Sequence, residues 1–361
     1  MTKKVLKNIG IVTAAVLGAL LLAVIAYVLY VVLSYSRIPD NTALEIDDGT
    51  EMSVALVGKE YVAVTQNIGF GAYTADFTFF MDGGSESRAE SRESVISCVT
   101  KAADTVKALE PDFILFQEVD LDSTRSYHTD QYAMLRESFG GYSSCYAQNY
   151  DSAYLMYPIF SPHGASKSSI ATFSNIDITS SVRRSFPIST SFSKFLDLDR
   201  CYSVSRIAVE NGKELLLYNV HSSAYGGSDE IRNAQMSMLL ADMAAEYAKG
   251  NYIVCGGDFN HDFTGDSVER LNGAIPEEYG WAQPFPSELI PDGFYRCTDY
   301  KDGELLPTCR NCDIPYKEGN FTLIVDGFIV SDNVECIETE NVQTGFEYSD
   351  HMPVKLTFKL K

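Results

Sequence analysis

Carboxylate, amide and imidazole side chains stand at the ends of several short apolar segments of this 361-residue chain. Carboxylate and amide oxygens are ligands that magnesium-type ions prefer, and histidines and carboxylates can move protons. A strand-rich scaffold commonly gathers such side chains on loops at one edge of its sheets. The sequence therefore predicts a site that combines hard oxygen ligands with proton-transfer groups. Its candidate residues are Asn67, Glu118, His221, Asp258, Asn260, Asp326, Asp350 and His351.

The segments that carry these residues have the composition and length of β-strands. We predict strands over 61–67, 112–118, 215–221, 252–255, 323–330 and 354–359. Apolar residues spaced three and four apart predict amphipathic helices over 88–109 and 229–249. Hairpin-like runs over 169–173 and 206–220 break any strict alternation of strand and helix. This mixture predicts an α+β fold of two packed sheets with helices outside, not a doubly wound parallel sheet.

The N-terminal segment 9–33 has no charged residue and is almost wholly apolar. About 20 apolar residues are enough to span a bilayer. Three lysines precede the segment and several acidic residues follow it, so residues 1–8 are predicted to be cytoplasmic and the bulk of the chain to lie outside. We interpret 9–33 as an uncleaved signal anchor in the cell membrane. A cleaved signal peptide and a buried core helix are the alternative interpretations.

After the anchor, residues 34–60 form an acidic linker, and 61–361 form the remaining domain. The formal net charge of -21 and the sequence pI of about 4.6 describe a strongly acidic chain. Such a surface repels polyanions, which disfavours tight nonspecific binding of nucleic acid. It does not exclude an enzyme that contacts a phosphate locally through a metal.

The chain has eight cysteines, of which only Cys297, Cys309 and Cys312 cluster in the sequence. The spacing of Cys309 and Cys312 fits half of a zinc site or a local disulfide. No second cysteine pair completes a zinc set. We therefore favour unpaired or loop-stapling cysteines over a metal site.

Six short motifs at the predicted strand ends resemble, in order, the signature of the endonuclease/exonuclease/phosphatase family. Each motif alone is weakly specific, but six in the right order over residues 61–358 are a specific signal. The family includes deoxyribonuclease-I-like nucleases and bacterial sphingomyelinases, and the resemblance implies a four-layer α/β/β/α sandwich. The motifs are Thr65-Gln-Asn67-Ile-Gly69, Gln117-Glu118-Val119, Asn219-Val-His221, Gly257-Asp258-Phe-Asn260, Asp326 in VDGFIVS, and Ser349-Asp350-His351-Met-Pro353.

The resemblance also implies a divalent metal, most simply Mg²⁺, with Mn²⁺ or Ca²⁺ as alternatives. Glu118 would be its principal ligand, with Asn67 and Asp350 close by. Gly69 stands where apurinic endonucleases have an acidic residue, so that ligand is missing here. The residues that lead to Asp326 differ from the block of the inositol-polyphosphate 5-phosphatases, which argues against that subgroup.

The catalytic roles that the resemblance implies fall on five residues. Asp258 would orient or deprotonate the attacking water, and Asn260 would hydrogen-bond the phosphate. His351 would contact the scissile phosphate, while Asp326 holds its ring in one tautomer. His221 would be a second phosphate-facing histidine and a candidate general acid.

These expectations lead to a membrane-anchored, extracytoplasmic and magnesium-dependent phosphodiesterase. The anchor favours substrates at the membrane surface, and the acidity disfavours long polyanions, so we expect a small or lipid-linked substrate. An anchored deoxyribonuclease-I-like endonuclease is the alternative, and a catalytically inactive binding module is the third hypothesis. The aromatic-rich stretch 142–160 either recognises substrate or packs a strand face into the core.

Overall fold

The computed structural model describes residues 2–224, 229–273, 279–281 and 283–361. The chain begins with a long apolar helix, α1 (Lys3–Ser34), which contains the predicted segment 9–33. The elements that follow are β1 (Thr42–Ala43), β2 (Glu60–Asn67), α2 (Arg92–Ala108), β3 (Phe113–Ser123), α3 (Gln131–Ser138), β4 (Ser143–Asp151), β5 (Ser166–Ser174), β6 (Ser180–Ser185), β7 (Cys201–Ala208), β8 (Glu214–His221), α4 (Asp229–Tyr247), β9 (Tyr252–Asp258), α5 (Ser267–Asn272), β10 (Phe294–Arg296), β11 (Cys309–Arg310), β12 (Thr322–Leu323), β13 (Asp326–Ser331), β14 (Val334–Asn341) and β15 (Val354–Leu360).

Helix α1 is long and apolar enough to cross a membrane by length and composition. Its most apolar window has a mean hydropathy of 2.8, and only 6% of that window is buried against the rest of the protein. A core helix of a soluble protein would be mostly buried, so the structure argues against the buried-core interpretation of this segment.

Most of the strands belong to two large sheets. Within the described residues, the first sheet has the order β1-β6-β7-β8-β9-β13-β10, and the second has the order β14-β15-β2-β3-β5-β4. The pairs β2–β3 and β8–β9 are parallel, whereas the other neighbours in these sheets are antiparallel. This pattern confirms the mixed architecture and excludes a doubly wound parallel sheet.

Alternating side chains on the central strands create the layers of the fold. Leu215 and Leu217 of β8 face a core shared with the second sheet, while Leu216 packs with α4 on the outer side. In the second sheet, Leu115 faces the shared core, and Ile114 packs with α2 and α3. The period of two in a strand sends successive side chains to opposite faces, so each sheet is covered on both sides. The predicted four-layer α/β/β/α sandwich is confirmed.

Strand register places the first sheet's polar residues in one row. His221 on β8 pairs with Asp258 on β9, and Asp258 pairs in turn with Asp326 on β13. In the second sheet, Asn67 pairs with Gln117, the neighbour of Glu118. Because β15 is antiparallel to β2, the residues just before it reach the same edge as the end of β2. The ends of both sheets therefore form a single platform.

The main differences from the predicted elements lie at boundaries. The helix expected from residue 88 begins at Arg92, where the Ser91 side chain accepts a hydrogen bond from the Ser94 amide and so caps the helix. The strand expected over 323–330 is divided into β12 and β13. In the aromatic stretch 142–160, only 143–151 form a strand. The short helices α3 and α5 and several strands, among them β6 and β14, were not predicted.

Gly257 is required by the close contact between the two parallel strands of the first sheet. Its φ is +150°, and a Cβ placed there would lie 2.1 Å from the carbonyl oxygen of Val220. We predict that Gly257→Ala lowers the free energy of unfolding by about 1–3 kcal/mol or more, because β9 must move away from β8. Urea denaturation of the full chain in detergent measures this loss.

The matched control is Gly141→Ala, since a Cβ at Gly141 meets no atom within 4 Å. Equal stability of the two variants would show that the contact between β8 and β9 is not the reason for Gly257.

Candidate active site

The structure brings all eight predicted residues together at the platform. Six of them line a cavity of about 340 Å³, and Asn67 and Asp326 lie directly behind its wall. The cavity has an apolar side as well, which includes Phe70, Phe79 and Trp281. The lining members of the predicted set are Glu118, His221, Asp258, Asn260, Asp350 and His351.

Asn67 joins the two sheets at the centre of the site. Its side-chain nitrogen donates to Glu118 Oε1 at 3.2 Å and to Asp258 Oδ2 at 3.1 Å. Its oxygen accepts a hydrogen bond from the Gly69 amide at 2.9 Å. Asn67 therefore presents two donors to two carboxylates and fixes their positions. Its predicted role as a metal ligand stays a prediction.

Two site residues adopt a left-handed backbone conformation that non-glycine residues rarely use. Glu118 has a φ of 54° and Asn260 has a φ of 49°. Such conformations cost about 1–3 kcal/mol each and persist only where the surroundings enforce them. In Asn260, the backbone amide donates to Asp258 Oδ1 and the side chain donates to the Ser222 carbonyl. The strain is therefore retained where it directs side chains into the cavity.

His351 is held by a buried carboxylate. Its Nδ1 lies 2.8 Å from Asp326 Oδ2, and its Nε2 lies 3.9 Å from Asp258 Oδ2. Burial alone would lower the pKa of His351, but Asp326, Asp258 and Asp350 raise it well above the ordinary value. The ring is therefore positively charged near neutral pH. The hydrogen bond that the predicted role of Asp326 requires is present.

His221 has the opposite charge state. Burial and the positive charge of Arg200 hold the pKa of His221 well below the ordinary value. Arg200 Nη1 lies 2.6 Å from His221 Nε2, which must accept this hydrogen bond, so the ring proton is on Nδ1. The side-chain carboxamide of Asn149 lies 3.4 Å from Nδ1 and accepts the Nδ1 proton when its oxygen is turned to this side. His221 is thus a buried neutral imidazole, and its predicted role as general acid stays a prediction.

The carboxylates of the site repel one another. Burial raises the pKa of Asp258 to about 6, despite hydrogen bonds from Asn67 and the amide of Asn260. Burial, with the nearby charge of Glu118, raises the pKa of Asp350 to about 7, although His351 opposes this shift. A bound cation would relieve this repulsion. The residues therefore fit a divalent ion held by Glu118 and Asp350, which present hard oxygen ligands to the cavity.

A second group of possible ligand atoms lies on the other side of Asp258. One ligand atom from each of Asp258, Asp326 and His351 falls within 4.8 Å of the others. Because metal binding releases the proton of a histidine ligand, this set also fits a metal ion.

The structure also gives a reason for the glycine in the first motif. A Cβ at Gly69 would lie 2.8 Å from Asp350 Oδ1 and 2.5 Å from the ring of Tyr73. An acidic side chain at this position has no room. The space that it would need is occupied by the carboxylate of Asp350.

Sequence reasoning missed the arginines that line the cavity. Arg125 is bound by Asp120 through two hydrogen bonds and lies over the ring of Phe70. Arg200 contacts His221, while the Nη2 of Arg310 donates to the Thr74 and Phe77 carbonyls. None of the three stands in a recognisable motif. They place positive charge in a cavity wall that also carries Asp82, Glu118, Asp197, Asp258 and Asp350.

The two-sheet sandwich and its cavity of carboxylates and histidines define a hydrolase of the phosphoester-cleaving class. A model of the endonuclease/exonuclease/phosphatase family matches residues 65–351, which is most of the chain. The chain belongs to this family, as its motifs predicted. No curated protein matches the sequence closely enough to count as a relative.

Several solved structures share the fold at low sequence identity. An endonuclease/exonuclease/phosphatase protein from Beutenbergia cavernae is 16% identical with a TM-score of 0.58, over 84% of this chain and 72% of that chain. ANGEL2, a 2',3'-cyclic phosphatase, is 15% identical with a TM-score of 0.55, over 88% and 98%. The human nocturnin catalytic domain is 17% identical with a TM-score of 0.52, over 88% and 98%. At these identities the likeness shows the fold alone.

The raised pKa of Asp350 predicts a measurable cost to stability. Its folded-state pKa of about 7 lies above the ordinary value of 3.8. The free energy of unfolding therefore falls as the pH rises from about 4 to about 7, and it stays lowered above this range. At pH 8 without metal, Asp350→Asn should therefore raise the free energy of unfolding by about 1 kcal/mol or more. The gain should shrink as the pH falls towards 5. Thermal melts in EDTA measure this difference.

Adding Mg²⁺ to the same melts tests the metal site. The melting temperature of the parent should rise more than that of Asp350→Asn, because the variant lacks one ligand. The surface variant Asp332→Asn, just after the far end of β13, should respond to Mg²⁺ as the parent does. An equal Mg²⁺ response in parent and Asp350→Asn would contradict the assignment of this ligand.

Proposed function

We propose that the chain is a membrane-anchored, metal-dependent phosphodiesterase that acts outside the cytoplasm on a small or lipid-linked phosphate ester. The observation that carries this proposal is the position of two histidines of opposite charge state around one carboxylate. His221 Nε2 and His351 Nε2 lie 3.6 Å and 3.9 Å from Asp258 Oδ2. A phosphate at this point would meet the charged ring of His351, the carboxylate of Asp258 as a base, and neutral donors such as Asn260.

The metal would be held by Glu118 and Asp350, with Asn67 positioning Glu118. When bound, a divalent ion neutralises phosphate charge and stabilises the charge that develops in the transition state. Mg²⁺ is the ion that we propose, because the available ligands are carboxylate oxygens.

The remaining residues divide proton transfer and charge stabilisation. Asp258, with a pKa raised to about 6, is ionised in most molecules at neutral pH yet basic enough to accept a proton from water. His351, kept charged by Asp326, would donate to a phosphate oxygen from Nε2. Asn260 would hold a second phosphate oxygen. Arg200 would add positive charge beside His221, which it keeps neutral.

We propose that α1 remains as an uncleaved signal anchor. Support comes from its length, its exposure and the lysines that precede it. The chain should stay in the membrane fraction after an alkaline carbonate wash, with its N-terminus intact. A shortened chain in the soluble fraction would contradict the anchor.

A comparison of three substrates tests the proposed reaction. The full chain in detergent with Mg²⁺ should hydrolyse bis(p-nitrophenyl) phosphate and a phospholipid diester such as sphingomyelin faster than plasmid DNA. Glu118→Gln removes one charge at nearly constant shape. It should abolish most of this activity, and the residual activity should no longer increase when Mg²⁺ is added.

Each other outcome selects a different function. Preferential cleavage of plasmid DNA would establish the anchored endonuclease instead. Hydrolysis of none of the three substrates by a folded, Mg²⁺-binding chain would favour the inactive binding module.

The two histidines should act on one phosphate. His351→Ala and His221→Ala should each lower turnover by about 10²–10⁴-fold, because the first removes the charged donor to the phosphate and the second removes the partner that positions Arg200. The double variant should lose less than the product of the two single losses. Asp326→Asn should reproduce part of the His351→Ala loss, because it frees the ring.

Circular-dichroism melts of the same variants separate a catalytic loss from unfolding. Near-full turnover in the single variants, or loss only through unfolding, would make both histidines structural.

A further inference from the structure

The loop between β4 and β5 exposes an apolar tip that the fold does not use. Four side chains over residues 156–160 are largely exposed: Met156 at 55%, Tyr157 at 68%, Ile159 at 76% and Phe160 at 101%. Residues 152–162 contain no acidic or basic side chain, in a chain with a net charge of -21. An exposed apolar patch of this kind marks a surface that contacts a protein or a membrane.

Hydrogen bonds connect this loop directly to the C-terminal end of α1. Tyr27 Oη donates to the Tyr154 carbonyl at 3.2 Å and accepts from the Met156 amide at 3.0 Å. Tyr30 Oη accepts from the Tyr154 amide at 3.0 Å. The loop is therefore tied to two neighbouring turns of the apolar helix.

A second segment contacts the same end of the helix. The ring of Phe195 packs edge-on against Tyr35 at 5.2 Å, and Lys194 lies over the Tyr35 ring. Nearby, Phe192 is 54% and Leu196 48% exposed. We call residues 154–163 and 192–196 together the interfacial surface.

The depth of this surface follows from helix geometry. Tyr27 lies seven residues before the end of α1 at Ser34, a distance of about 10 Å at about 1.5 Å per residue. A bilayer core needs about 20 apolar residues, and the uncharged run begins at Ile9. Tyr27 and Tyr30 therefore fall near the outer boundary of the core, where tyrosines are enriched. The loop bonded to them lies at the same depth.

We propose that the interfacial surface docks on the outer leaflet of the bilayer that holds α1, and that the site takes a phospholipid diester from that leaflet. The assignment of a phospholipid diester as the substrate rests on the proposed function. The bilayer is the occupant because the surface is continuous with a helix that itself requires lipid. Its lack of acidic groups sets it apart from the rest of this acidic chain.

The interfacial surface lies beside the cavity. His163 and Leu196 belong to both. The ring of Tyr157 contacts Phe80, whose neighbours Phe79 and Met81 also line the cavity. The base of the loop is fixed, because Arg88 donates to the Pro162 carbonyl and His163 Nδ1 contacts the Ser87 carbonyl. The apolar side of the cavity therefore adjoins the interfacial surface.

Fluorescence tests the docking directly. The full chain, reconstituted in phosphatidylcholine vesicles, carries Phe160→Trp in a Trp281→Phe background, since Trp281 is the single native tryptophan. The matched control is Ile337→Trp in the same background, because Ile337 is exposed on β14 at the opposite edge of the second sheet from β4. Brominated phosphatidylcholine should quench the tryptophan at 160 at least twofold more than the one at 337.

Equal quenching at the two positions would overturn the docking. Shielding of the tryptophan at 160 that depends on protein concentration, and not on brominated lipid, would assign the surface to a second copy of the chain and overturn it as well.

Activity tests the substrate. Replacing Met156, Ile159 and Phe160 together with serine should lower hydrolysis of vesicle phospholipid at least tenfold. Hydrolysis of bis(p-nitrophenyl) phosphate should stay within twofold, because none of the three side chains lines the cavity. Equal rates on phospholipid before and after the replacement would overturn the inference. If the parent hydrolysed neither phospholipid nor bis(p-nitrophenyl) phosphate, the proposed function would be refuted. The quenching result would still decide the docking.

Discussion

The charge balance at the platform is the constraint on which the rest of the site depends. Glu118, Asp258, Asp326 and Asp350 meet where two sheets end, and burial opposes the ionisation of two of them. Asn67 donates to two of these carboxylates, and His351 supplies a positive charge between the others. A cation would complete the compensation. The same repulsion that makes the metal-free site costly would favour the binding of a divalent ion.

The sandwich makes this concentration of charge possible. Each sheet provides a rigid row of residues through its hydrogen-bond register, and the apolar core between the sheets holds the two rows at a fixed separation. Strained backbone at Glu118 and Asn260 is maintained by the same packing. Since proteins are only marginally stable, such strain persists only where a large buried core compensates for it. The shared core is thus the support of the site.

A few specific contacts join the N-terminal helix to the catalytic domain. Tyr27 and Tyr30 hydrogen-bond the loop after β4, and Tyr35 packs on Phe195. Both contacted segments border the cavity. These contacts fix the position of the domain relative to α1. In the membrane arrangement that we propose, these contacts would hold the cavity towards the leaflet in which the helix ends, whereas a flexible tether would let it turn away.

The sequence by itself determined the family, the apolar helix and the eight residues of the platform, because short motifs at strand ends and a long uncharged run are local signals. It also determined the two-sheet architecture from hairpin-like runs between helices. Only the tertiary structure decided the charge states of His221 and His351, which depend on Arg200 and Asp326 from distant segments. The arginines of the cavity wall and the contacts of the loop at 154–163 with α1 were equally invisible. Apart from Arg125, whose partner Asp120 is near in sequence, their partners lie between 21 residues (Arg200 and His221) and 236 residues (Arg310 and Thr74) away, and no local pattern records such long-range pairs.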